Sequence, residues 1–120
     1  MAKSLSNAVL DAGLDVVNDA TELYLCTSEP TDRAGAIAAS VIPAATPTFQ
    51  PIGDGAGGGR SVETDASSGN TANAAGTASH VALCDASNLI LVTTLASNVV
   101  ISDGMDVTIS AFTTRFADPT

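Results

Sequence analysis

Between residues 4 and 19 the apolar side chains Leu5, Val9, Leu10, Leu14, Val16 and Val17 recur three and four positions apart. Ser4, Asn7, Asp11, Asp15 and Asn18 fall on the opposite side. That period predicts an amphipathic helix over 4–19, with an apolar face broad enough to lie on a sheet. Ser4 or Ser6 is the expected N-cap, its hydroxyl accepting from an amide of the first turn. Gly13 costs about 1 kcal/mol relative to alanine, and Asp19 opposes the helix dipole near the C-terminal end. Neither suits an isolated helix, so packing against the rest of the fold has to hold it.

From residue 21 the period falls to two. TELYLCT (21–27) alternates, and the turn residues SEPTD (28–32) close it. Residues 34–42 are a run of small apolar side chains, read as a strand packed closely against a neighbour. Pro43, Pro47 and Pro51 then keep the chain extended and edge-like, with Thr48, Phe49 and Gln50 the one stretch between them suited to a strand. GDGAGGG (53–59) is of low complexity, so 43–59 as a whole reads as a flexible segment rich in proline and glycine. Beyond it a strand–turn rhythm sets in. Strands are expected at 60–64, 77–84, 89–95, 98–101 and 107–113, with turns at 66–69, 85–88 and 102–104 and residues 70–75 leading into the second strand.

Short strands every eight to twelve residues, punctuated by Gly, Asn and Asp, indicate an antiparallel sandwich or barrel. The expected fold is therefore mainly β: a small antiparallel β-sandwich or barrel-like domain, β-rich over 21–116, with one N-terminal helix packed on it. Aromatic residues are only Tyr24, Phe49, Phe112 and Phe116, so the core has to be thin and aliphatic. Such a core buries less apolar area per residue than an aromatic one. Sharing surface with a copy of itself or with a larger assembly offsets that deficit, and a homo-oligomer is expected.

Length and charge narrow the classes of function. A chain of 120 residues fits one domain, 1–120, and buries about two-thirds of its unfolded surface. Thirteen acids against four bases (Lys3, Arg33, Arg60, Arg115) give a net charge of −9. Nucleic-acid binding needs cations for phosphates and flat groups for stacking, and four scattered bases do not supply them. No stretch approaches the roughly 18 consecutive apolar residues of a membrane span. Asn7 and Asp11 interrupt any apolar core of a signal peptide, so a soluble protein made in the cytoplasm is expected.

Chemistry is sparse. His80 is the one histidine, and Cys84 stands four residues along the same strand, about 13 Å away at 3.3 Å per residue. That is too far for proton transfer, and His80 is read as structural or as an interface residue. Alternation places Ala78, His80, Ala82 and Cys84 on one side. Cys26 and Cys84 lie in apolar, strand-like settings that favour buried free thiols; the alternative is a bridge between adjacent strands, with Cα atoms within about 7 Å. GDGAGGGRS misses the phosphate-loop spacing, because Arg60 stands where that loop needs lysine and Asp54 where it needs glycine. Asp85, Asp103 and Asp106 occupy turns without the spacing of a calcium loop, and turns use Asp to bond their own backbone. No catalytic, cofactor or metal residue is assigned, and the chain is not read as an enzyme.

The order of segments carries a resemblance. AVLDAGLDVV is followed by TELYLCTSEP, then by GRSVETD, GTASHVALCDASNLILVTTL and a terminal VTISAFTTRFADP. This is similar to the small virion proteins encoded among the head genes of tailed bacteriophages, in particular capsid decoration (cement, head-stabilising) proteins. It spans nearly the whole chain through structural motifs, most specifically the helix followed by LCTSEP and the GTASHVALCD segment, and brings no catalytic residue with it. The resemblance implies a non-enzymatic subunit on the virion surface, with the major capsid protein as partner and a trimer as the favoured homo-oligomer, and with no role for nucleic acid or membrane. A tail or fibre component, or a receptor-binding module, is the alternative within the same class of particle.

Overall fold

A computed structural model of the protein describes residues 7–54 and 59–116, with side chains over 10–54 and 59–115. The elements in chain order are α1 (Asn7–Asn18), β1 (Glu22–Cys26), α2 (Arg33–Ala39), β2 (Gly53–Asp54), β3 (Arg60–Thr64), β4 (Ser67–Thr71), β5 (Gly76–Cys84), β6 (Leu89–Ile101), β7 (Asp106–Ile109) and β8 (Phe112–Phe116). The chain is mainly β with an N-terminal helix, as the periodicity predicts. Its strands form three small antiparallel sheets, in the orders β1-β5-β6, β2-β3-β8 and β4-β7.

Helix α1 buries Leu10, Leu14 and Val17, spaced i, i+4 and i+7, and packs across β3 with further contacts to β6 and β8. Val16, assigned to the apolar face by periodicity, is 54% exposed, so the buried stripe is narrower than expected. The expected caps Ser4 and Ser6 lie outside the described residues. The main core gathers Leu14, Val17, Leu23, Leu25, Val41, Ile42, Val62, Val81, Leu83, Ile101, Val107 and Ile109 from all three sheets. It is aliphatic, with Phe49 and Phe112 only partly buried at its margin. On the other side of the first sheet a smaller cluster of Tyr24, Cys26, Ala82 and Cys84 closes over Ala36 of α2.

Several elements differ from their sequence reading. Residues 34–42, expected to be a strand, begin as helix α2: the Asp32 carboxylate caps it by accepting from the Gly35 amide at 2.6 Å, and the alanines that follow are the strongest helix formers. Val41 then extends along β1, its amide donating to the Leu25 carbonyl at 2.9 Å. The Pro-rich stretch is tied in places. Ala45 exchanges two backbone hydrogen bonds with Leu23 (2.8 and 3.0 Å), and the Gln50 amide donates to the Glu63 carbonyl at 2.9 Å. Gly53 and Asp54 form the short β2 against Ser61 and Arg60, while residues 55–58 of the glycine run lie outside the described residues. Of the turn expected at 66–69, residues 67–69 are instead part of β4, whose pairing with β7 is irregular between Ser67 and Asn70, with Gly69 at φ +75°. The strand expected at 107–113 is two strands in different sheets, β7 and β8.

Candidate docking surface

Strands β5 and β6 form the longest hairpin of the fold. Its turn is organised by Asp85, whose Oδ1 accepts from the Ser87 and Asn88 amides at 2.7 and 2.6 Å. Those bonds hold the Asp85 carboxyl below the ordinary aspartate range, led by the one from Ser87. The two strands expected at 89–95 and 98–101 are one strand of 13 residues, β6. Its register with β5 shifts twice, by one residue at Ile90 near the turn and more strongly between Ala78 and His80. Ala78 pairs with Val99 and His80 with Thr94, so Leu95, Ala96, Ser97 and Asn98 stand opposite Ser79 alone. Such an excess bends a strand and strengthens its local twist. The same irregularity separates residues that simple alternation put together: Ala78 packs in the main core, whereas Ala82 and Cys84 belong to the cluster under α2.

β6 is the edge of its sheet, and among the described residues no backbone hydrogen bond joins 89–100 to anything but β5. LILVTTLASNVVI contains no charged residue and no proline, two of the devices that blunt an open edge, and the device it does carry is the bulge at 95–98. Val99 and Val100 point to opposite faces, as successive strand residues do, and both are exposed (43% and 73%). β6 is therefore uncovered on both faces at Val99 and Val100, and Ile101 beside them is buried in the core.

Beside that edge lies a half-open cleft of about 440 Å³, walled by Thr93, Leu95 and Ser97 of β6 and by Val107, Ile109 and Phe112 across from them. Neighbouring residues of both walls, including Thr94, Ala96, Thr108 and Ser110, also border it, so main chain as well as side chains faces the space. Among the described residues no titratable side chain lines it. A cleft of this size suits an apolar occupant, and the polar side chains among its lining residues are the hydroxyls of Thr93, Thr94, Ser97, Thr108 and Ser110.

The residues singled out for chemistry do not meet there. His80 Nδ1 hydrogen-bonds Ser79 Oγ at 2.7 Å, and its Cα partners are Cys26 and Thr94. Cys26 and Cys84 are free, buried thiols. Burial, helped by the nearby Cys84, pushes the Cys26 thiol up to about 11, and burial raises that of Cys84. Cys26 Sγ donates to the Ala36 carbonyl at 3.6 Å. Asp103 and Asp106 are exposed at the far end of β6. Among the described residues no three His, Cys, Asp or Glu side chains converge on a metal position, and no helix is long and apolar enough to cross a membrane. Two of the four bases serve the fold: Arg33 forks onto Glu22 (2.9 and 2.8 Å) and also donates to the Asp85 carbonyl at 3.0 Å, while Arg60 binds Asp11 and Asp54.

The uncharged run of β6 is readable in the sequence, but its position at a sheet edge is not, because edge or centre is decided by the order β1-β5-β6. In comparisons with known proteins the chain matches no family model, no curated protein and no solved structure.

Proposed function

We propose that this chain is a structural virion protein that binds the outside of a tailed-phage capsid and stabilises it, with the major capsid protein as its partner and a homo-oligomer, a trimer for preference, as its working form. The observation that carries this reading is the pairing of a long uncharged strand edge with a mainly apolar cleft that is lined by no titratable group among the described residues. That surface is fitted to hold another polypeptide, by main-chain pairing along the edge and apolar contact in the cleft. The segment order and its resemblance to decoration proteins supply the identity of the particle. The acidic exterior keeps the free subunit soluble and favours docking onto a basic patch.

The test is direct. Purified protein mixed with undecorated shells is expected to bind saturably and to raise their melting temperature. Absence of binding, with shell stability unchanged, refutes the reading. Immunogold labelling of virions is expected to decorate heads, and label confined to the tail assigns the protein there instead.

A further inference from the structure

We infer that the β6 edge and the cleft beside it receive an extended strand of the shell subunit, neutral and partly apolar in its middle and basic where it passes residues 102–106. This inference rests on the reading above and names the site at which the partner is held. An open edge offers unpaired amides and carbonyls along one line, and an added strand satisfies them while placing alternate side chains in neighbouring pockets. Here the strand is free of charge over 13 residues, the bulge at 95–98 divides its edge into two stretches, and the cleft beside that bulge accepts an apolar side chain from the incoming strand.

Charge selects the occupant. Asp103 and Asp106 are exposed just beyond β6, and no basic side chain among the described residues pairs with either. At the opposite end Asp85 and Glu22 face the single guanidinium of Arg33. A second copy pairing antiparallel along β6 brings Asp103 and Asp106 against the Asp85 end, and one pairing parallel brings them against themselves. Both arrangements set like charges together in a protein of net charge −9. A strand carrying Lys or Arg at that end turns the same acids into attractive contacts.

The experiment compares binding of the intact protein and its variants to undecorated shells. Thr94→Lys and Val100→Lys place a charge on exposed positions of the edge, and Val16→Lys places the same charge on the exposed side of α1 as a control. The edge variants are expected to bind roughly tenfold or more weakly with unchanged melting temperatures, and the control to bind like the parent. Asp103→Lys combined with Asp106→Lys is expected to weaken binding as well. Failure of the parent to bind overturns the proposed function and this inference with it. Binding by the parent that the edge variants match overturns the inference alone. If the edge variants instead dissolve an oligomer of the free protein, or the double Asp→Lys variant strengthens self-association, the occupant is a second copy and the inference is wrong.

Discussion

Arg60 grips Asp11 through two hydrogen bonds, Nε to Oδ1 at 2.8 Å and Nη2 to Oδ2 at 3.2 Å, and so fastens α1 to β3 across 49 positions of chain. A third bond, Nη1 to Asp54 Oδ1 at 2.8 Å, draws in β2. The flat fork of a guanidinium can hold both carboxylates at once, and the point charge of an ammonium cannot. Arg60→Ala and Asp11→Asn are each expected to lower the melting temperature, with the double variant no worse than Arg60→Ala. Arg60→Lys should recover only part of the loss. Strictly additive losses in that cycle contradict the geometry.

Acid should weaken the fold. The hydrogen bonds from Arg33, opposed by desolvation, hold the Glu22 carboxyl below its ordinary 4.5. Bonds from Gln50 and Thr48 hold Asp65 below its ordinary 3.8, and the amides of its turn do the same for Asp85. Each group takes up a proton less readily folded than unfolded. Its stabilisation is therefore complete above the unfolded value and lost as pH falls through the depressed folded value. Denaturant titrations at descending pH are expected to show stability falling once pH drops below about 4.5, with a shallower fall in Glu22→Gln. A flat profile in the parent protein contradicts the assignment.

The two thiols should be inert while the protein is folded. With Cys26 raised to about 11 by burial, its thiolate fraction stays small until the pH nears that value. An aromatic disulfide reagent in mild base is expected to label neither cysteine in native protein and both after denaturation. Rapid labelling of Cys26 in the folded state speaks against the closed packing of α2 over β1.

Thr64 is fully buried, and its hydroxyl has no hydrogen-bond partner among the described residues. Valine has nearly the same shape without the polar atom, so Thr64→Val is expected to raise the free energy of unfolding by about 1 kcal/mol. Equilibrium unfolding in urea measures this, and a loss of stability would mean that the hydroxyl finds a partner after all.

The legible parts of this fold are those in which one period and one set of turn residues agree. The buried side of α1 follows from Leu10, Leu14 and Val17, and the β5–β6 turn from Asp85 and Asn88. Helix α2 was obscured because a run of small apolar residues suits either state, and its one firm signal is the capping carboxylate of Asp32. β4 (SSGNT) has no apolar side chain to mark it and exists through its pairing with β7. Ser110 and Ala111 carry no turn signal, so the passage from β7 to β8 is written in tertiary packing alone. The docking surface was half visible: thirteen residues without charge are plain in the sequence, whereas the missing neighbour is a property of the assembled sheet.

β3 finds its partner in β8, about fifty residues further on, with Thr64 opposite Phe112 and Arg60 opposite Phe116. The sheet beneath α1 is consequently complete only once residues 112–116 have been made. While the chain is being made, the β5–β6 hairpin can close from neighbouring residues, whereas the β3–β8 pair under α1 joins segments far apart in sequence. Local closure thus favours the hairpin early, and the full seat of the helix later.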